Sequence, residues 1–286
     1  MIGKDISGVT ILELLGHGAS GLVYMAFQRS LKRKIAIKLI PKNNCPPDNL
    51  IQLRDEAETV AVLNHPNIVT VFDVGETDEF LFITMQLIEG ESLKASIKRH
   101  LRHPLPSRRF MPLQNIFKVM NPVLDALNYA HEYDIVHQDV KPSNILIESS
   151  TGRPFVVDFG IARTFVSEHN SKIVRGTPLY IAPEQARGEE TDAKADIYSA
   201  GVVLWECLCG TLPVPPLSPT KLVGLKAQKP DSFFLTTPSK HNQRIDFEME
   251  QIILKATNPI PEMRYSSCTH LLHSISQYFA EKHNDI

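Results

Sequence analysis

Partway along the chain the hydrophobic period changes from two residues to about 3.6, and this limits its fold more than any other feature. Through residue 87 the apolar positions read as strands. Residues 9–15 alternate, 16–21 turn, 22–27 run apolar, and 34–40, 68–74 and 80–87 supply three more strands. In 34–40, Ile35, Ile37 and Leu39 share one face, while Ala36, Lys38 and Ile40 share the other. One helix is expected in this part, capped by Asp48 and running to about Leu63, with Leu53, Ala57, Val60, Ala61 and Leu63 on its apolar face. The remainder reads as helical: 113–133, a more buried helix over 191–209, 247–256 and 268–283, with 212–230 expected as loop. The chain is therefore expected to be α+β, a five-stranded antiparallel lobe followed by a helical one. Clefts between lobes are where ligands commonly sit.

Bulk composition narrows the function classes. The 286 residues are 43% hydrophobic and 22% charged with a net charge of -2, so no nucleic-acid or membrane-surface footprint is expected. The four cysteines, Cys45, Cys207, Cys209 and Cys268, fit neither a disulfide framework nor a zinc site, and reduced thiols in a cytoplasmic protein are expected. No secretory signal is visible, Ile2 excludes N-myristoylation, and the most apolar run, 197–212, is too short to span a bilayer.

Chemistry concentrates in four places. In Gly16-His17-Gly18-Ala19-Ser20-Gly21-Leu22-Val23 the glycines allow backbone N–H groups to approach phosphate oxygens, although a plain hairpin turn has the same composition. Lys38, among apolar strand residues, needs an anionic partner, which Glu56 or Glu58 would supply; an edge-strand surface lysine is the alternative. Residues 135–147 place Asp139, Lys141 and Asn144 between two apolar stretches, and Asp158-Phe159-Gly160 follows. One acid can orient a hydroxyl, and an acid with a nearby amide can hold a hard cation through oxygen.

Together these segments resemble a eukaryotic-type Ser/Thr protein kinase, with a bacterial flavour in 182–188 and Thr191-Asp192. The likeness covers about residues 9–279. It includes His65-Pro66-Asn67, Gly176 to Glu184 and Asp196-Ile197-Tyr198-Ser199. The resemblance implies one bilobal kinase domain over 1–286, with an N-lobe to about 85, a hinge at 86–90 and a C-lobe from 91. It implies ATP, Mg²⁺ (Mn²⁺ as the alternative) and protein Ser/Thr hydroxyls as partners, with homodimerisation or self-phosphorylation as further expectations. By its spacing from His65, it selects Glu56 as the partner of Lys38. Asp139 would orient the acceptor hydroxyl, Lys141 would offset phosphoryl charge, and Asn144 and Asp158 would hold the metal. Val23, Ala36 and Leu146 would sandwich adenine beside Met85, with Gln86, Leu87 and Ile88 as the pairing hinge. Thr177 would position the peptide, Glu184 would pair with Arg264, and Asp196 would brace the catalytic loop.

One residue departs from the family pattern. Gln138 stands where the family has an arginine that receives a regulatory phosphate, and a neutral amide cannot make that charged fork. Activity is therefore expected not to depend strongly on phosphorylation of Thr164, Ser167 or Ser171. The basic stretch 98–103, with Arg108 and Arg109, is read as a solvated loop, with docking of an acidic partner or anionic lipid as the alternative. Rival functions are a pseudokinase scaffold and a small-molecule phosphotransferase. The intact residue set speaks against the first, and the complete 176–184 segment against the second. A cytoplasmic protein is expected; a secreted effector and the soluble part of a longer membrane kinase are the alternatives.

Overall fold

A computed structural model describes residues 1–17, 21–44, 54–55, 57–159 and 178–283. Its N-terminal part is built on an antiparallel sheet of order β1-β2-β3-β4-β6-β5. The strands are β1 (Asp5–Ile6), β2 (Val9–His17), β3 (Leu22–Gln28), β4 (Arg33–Pro41), β5 (Val71–Glu76) and β6 (Phe80–Met85). The central strand β4 obeys its sequence pattern. Ile35, Ile37 and Leu39 pack with Ile11, Tyr24 and Ala26, whereas Ala36 and Ile40 pack with Ala57, Ile83 and Met85 on the opposite face.

The five expected strands form, and three details of the lobe differ. The sheet has a sixth strand because Ser7 (φ 50) and Gly8 (φ 83) fold Asp5–Ile6 back onto β2. Positive φ at both central residues is what a tight type I′ hairpin requires. Residues 68–69 do not extend β5, although Thr70 O still accepts the Gln86 N–H at 2.9 Å. Val156 N–H donates to Asn67 O at 2.8 Å and Val69 N–H to Val156 O at 3.1 Å, so this stretch binds the second half of the molecule instead. Gly16 and His17 belong to β2, paired with Val23 and Leu22, rather than to the turn. In the expected helix, 54–55 and 57–61 are helical (α1). Ala57, Val60 and Leu63 are buried and Ala61 is exposed; Asp48 and Leu53 lie outside the described residues.

A small sheet, β7 (Gly90–Ser92), β8 (Ile145–Glu148) and β9 (Pro154–Val156), links the halves. The second half is helical: α2 (Leu93–Leu101), α3 (Leu113–Glu132), α4 (Pro183–Arg187), α5 (Ala193–Cys209), α6 (Pro219–Gln228), α7 (Pro238–His241), α8 (Phe247–Ala256) and α9 (Cys268–His283). Helix α5 is buried from Ala195 through Cys209, as expected from its apolar run, and Glu206, which interrupts that run, is buried with it. Asp192 caps its start by accepting the Lys194 N–H at 2.8 Å, and Gly210 (φ 76) ends it. Two loop expectations fail here. Residues 98–101 form the last turn of α2, started by the Ser92 side chain, and α6 forms within 212–230 with Pro219 in its first turn. Cys207, Cys209 and Cys268 are buried free thiols. No helix among the described residues is long and apolar enough to cross a membrane.

Candidate active site

The loop at 135–147 is held from below by one carboxylate. Asp196, fully buried in the first turn of α5, accepts the His137 N–H at 2.8 Å and the Gln138 N–H at 2.7 Å. His131 Nε2 lies 2.8 Å from the same side chain. This anchor, with the Gln185 amide donating to Gln138 O at 3.0 Å, holds Gln138 at φ 64, a left-handed conformation that a non-glycine residue rarely adopts unaided. The His137 ring accepts the Asp139 N–H at Nδ1 (3.2 Å), so Nε2 carries the ring proton and donates to Val157 O at 3.0 Å. The ring also packs on Phe159, with centroids 4.5 Å apart.

Asp139, Lys141 and Asn144 meet at one point. Lys141 Nζ donates to Asp139 Oδ2 at 2.6 Å, and Asn144 Nδ2 donates to the same oxygen at 3.1 Å and to Asp139 O at 3.0 Å. Among the described residues Asp139 Oδ1 and Asn144 Oδ1 receive no hydrogen bond, which leaves two oxygens for a ligand. Val157 N–H donates to Asn144 O at 3.0 Å and so ties this group to the neighbouring Asp158.

Asp158 (φ 61) faces the other half of the molecule, where Lys38 Nζ donates to its Oδ1 at 2.8 Å. Lys38 is 2% exposed, which excludes the surface-lysine alternative. Burial pushes the Asp158 carboxyl up, but the charge and hydrogen bond of Lys38 outweigh it and hold the group below the usual carboxylate range. Glu56, the expected partner, lies outside the described residues. So do Gly18, Ala19, Ser20, Thr177, Gly160 and the three candidate phosphosites.

The expected adenine residues assemble in part. Val23, Ala36, Met85, Leu87 and Ile88 belong to one apolar cluster, with Ala36 opposite Met85 across the β4–β6 pair. Leu146 sits half-buried on β8. The Gln86 N–H is committed to Thr70 O at 2.9 Å, so other backbone groups of 86–88 would have to meet a base edge. At the mouth, a Cβ on Gly21 would lie 2.2 Å from Leu39 O, so only glycine lets the chain pass this close to β4.

No cluster of three or more His, Cys, Asp or Glu side chains forms a metal cage among the described residues. The donors present, one carboxylate and one amide oxygen, suit a hard cation that takes its remaining ligands from phosphate and water.

The structural pair expected in the second half is present. Arg264 forks onto Glu184 at 2.6 and 2.7 Å and also donates to Lys194 O and Asn258 O at 2.8 and 2.7 Å. Two further contacts were not visible in sequence. Lys226 on α6 is fully buried and donates to Leu179 O at 2.8 Å and Ile181 O at 2.9 Å, with its Nζ 3.8 Å from the Phe233 ring centroid. Burial drives its ammonium well below the ordinary lysine value, and the Glu184 charge only partly opposes this. Tyr180 donates to Glu206 at 2.5 Å, and Lys94 of α2 binds both. Both sets hold the stretch just after Thr177 and Pro178. A lysine four residues after Leu222 on one helix face was the available clue, and it was hidden by reading 212–230 as loop.

The sequence matches the family described as protein kinase domain over residues 9–278. It is 36% identical over 287 aligned positions to the serine/threonine-protein kinase PrkC of Bacillus subtilis, covering 98% of this chain and 42% of that protein. It is 34% identical over 267 positions to the serine/threonine-protein kinase PknB of Mycobacterium leprae, covering 91% and 41%. The chain thus spans about two fifths of the length of these curated relatives. Among solved structures, the Mycobacterium tuberculosis PknI kinase domain superposes with a TM-score of 0.72 at 26% identity, over 98% of this chain and 99% of that one. A point mutant of the same domain gives 0.77 at 24% identity over 97% and 98%, a likeness of fold.

Proposed function

The chain belongs to the protein kinase family, and from that membership we propose that it transfers the γ-phosphoryl group of ATP to Ser and Thr hydroxyls of proteins. The observation that carries this reading is the convergence of Asp139, Lys141 and Asn144 beside the Lys38–Asp158 pair, joined through Val157 N–H to Asn144 O at 3.0 Å. Phosphoryl transfer asks a protein for positioning and charge neutralisation more than for covalent chemistry.

Asp139 orients the acceptor hydroxyl with Oδ1, because Lys141 and Asn144 already fix Oδ2. Lys141 stays close enough to Asp139 to balance charge arriving on a phosphoryl oxygen. Lys38 binds nucleotide phosphate and keeps Asp158 ionised. Asn144 and Asp158 would hold Mg²⁺, or Mn²⁺ with the same oxygen preference, which when bound would supply charge neutralisation for phosphate. Gly16, His17 and Gly21 belong to the lid over the phosphates; Val23, Ala36, Met85 and Leu146 enclose adenine beside 86–88. Glu56 and Thr177 keep their family roles as partner of Lys38 and peptide anchor. We read 1–286 as a single kinase domain, with lobes meeting at 86–90, acting in the cytoplasm on protein substrates and on further copies of itself.

Regulation follows from Gln138. The catalytic loop uses its backbone, through Asp196 and Gln185, and its neutral side chain offers no charged receptor for an activation-segment phosphate. The loop is thus braced without a phosphate.

The test is incubation of the chain with Mg²⁺ and γ-labelled ATP, followed by phosphoamino-acid analysis. Label on serine or threonine, absent in Asp158→Ala, is the expected result. Label no greater than in that control would make the chain a nucleotide-binding scaffold instead.

A further inference from the structure

Away from the nucleotide site, a cleft of about 660 Å³ opens between the end of α2, the connection to α3, the start of α8 and α9. Its volume falls in the range typical of small-ligand sites. Arg99, His103 and Arg108 come from the basic stretch noted in the sequence, and Arg244 joins them from a position more than a hundred residues later. The floor is apolar, made by Phe110, Met111, Ile245 and Met249. Among the described residues no aspartate or glutamate lines the cleft.

The cations differ in availability. Arg99 is spent on Glu91 at 2.6 Å, and nearby Asp246 is occupied by the Tyr278 hydroxyl at 3.1 Å and Lys282 at 2.9 Å. No carboxylate among the described residues pairs with Arg108 or Arg244. Arg244 is placed by a long contact to Ser107 O (3.4 Å) and by the Phe110 ring, 5.4 Å from its guanidinium carbon. His103 accepts the Leu105 N–H at Nδ1 (3.1 Å), so its proton sits on Nε2 as a further donor. The basic loop is itself ordered by a short 3-10 turn, Pro106–Arg108, and by Arg109 Nε donating to His103 O at 3.1 Å. Solvated arginines are ordinary on a surface. Two carboxylate-free arginines from separate segments over an apolar concavity are a different arrangement, because guanidinium forks suit phosphate and carboxylate oxygens while the floor rewards an apolar group.

We propose that this cleft is a second ligand site, which takes a small anionic amphiphile. A phosphate-type head binds Arg108 and Arg244, and an apolar body lies on Phe110, Met111, Ile245 and Met249. The head chemistry is the same for a free organic phosphate and for a phospholipid, and the experiment separates them. Decyl phosphate and inorganic phosphate are titrated into the full chain by calorimetry. Flotation is run with vesicles of phosphatidylcholine with and without phosphatidylglycerol, and each measurement is repeated on Arg108→Gln/Arg244→Gln. Both arginines are exposed and outside the proposed catalytic group, so the variant is expected to fold and to retain basal activity.

Decyl phosphate is expected to bind at least about tenfold more tightly than inorganic phosphate, and the double variant to lose at least about tenfold, the effect of one charge-assisted contact. Binding of decyl phosphate without flotation assigns a free ligand. Arginine-dependent flotation on phosphatidylglycerol vesicles assigns a lipid head. The proposal is overturned if neither probe binds, if decyl phosphate binds no better than inorganic phosphate and no flotation occurs, or if the double variant binds like the parent.

Discussion

Lys226→Met tests whether a buried amine positions residues 179–181, the stretch proposed to face the peptide. The substitution keeps most of the side-chain volume but removes the donors to Leu179 O and Ile181 O. Stranding a buried acceptor costs about 1–3 kcal/mol, so two give about 2–6. Relief from burying an amine in an apolar site returns a few kcal/mol, which leaves a net loss of about 2 kcal/mol. Expressed locally, that is about a 30-fold loss in kcat/KM for a peptide substrate. Steady-state kinetics should show it as a raised peptide KM with an unchanged ATP KM, since Lys38 and Asp158 are untouched. The linkage has a definite sign. Folding depresses the Lys226 pKa, so the unfolded chain holds the extra proton, and this residue makes stability rise with pH towards the ordinary lysine value of 10.5. That rise should be missing from the variant in denaturant titrations across alkaline pH. An unchanged peptide KM at full folding, or equal weakening towards ATP, would refute the positioning argument.

Three further outcomes are expected. Glu184→Ala should cost about 3–5 kcal/mol in denaturant unfolding because it strands the buried Arg264 guanidinium, whereas Glu184→Leu/Arg264→Met should recover much of the loss. Lys38→Met should remove a stabilisation that is fully present above the ordinary aspartate value of 3.8 and fades as pH falls through the depressed Asp158 value, so parent and variant should converge in strong acid. Replacing Thr164, Ser167 and Ser171 together by alanine should leave the transfer rate within about threefold of the parent, less than 1 kcal/mol, if Gln138 has removed the phosphate receptor.

How far the sequence carried the account depends on whether a residue's partners are local. The two faces of β4 were legible because strand alternation alone separates Ile35, Ile37 and Leu39 from Ala36 and Ile40. Helix α5 was legible because a run of that length admits little else. Asp139, Lys141, Asn144 and Asp158 were legible as a set through resemblance, and the Glu184–Arg264 fork and the Asp196 brace followed the same way. Other features turned on contacts that spacing does not encode. Residues 68–69 looked like strand but bond across to β9, because backbone pairing is chosen by whichever partner the fold brings near. Prolines made 212–230 look like loop, although Pro219 starts a helix well. Lys226 was invisible because its acceptors lie more than 40 residues away. The basic cleft was half visible, since Arg244 comes from a different part of the chain.

The most direct test of the proposed chemistry compares the parent with Asp139→Asn in two assays, Mg²⁺-ATP affinity and γ-phosphoryl transfer to a Ser/Thr peptide. The substitution keeps the size of the side chain and its contact with Asn144 but removes the carboxylate proposed to orient the hydroxyl. The expected result is unchanged nucleotide affinity with transfer reduced about 10²–10⁴-fold. Transfer by Asp139→Asn at the parental rate, or a parent that binds Mg²⁺-ATP without transferring phosphate, would contradict it.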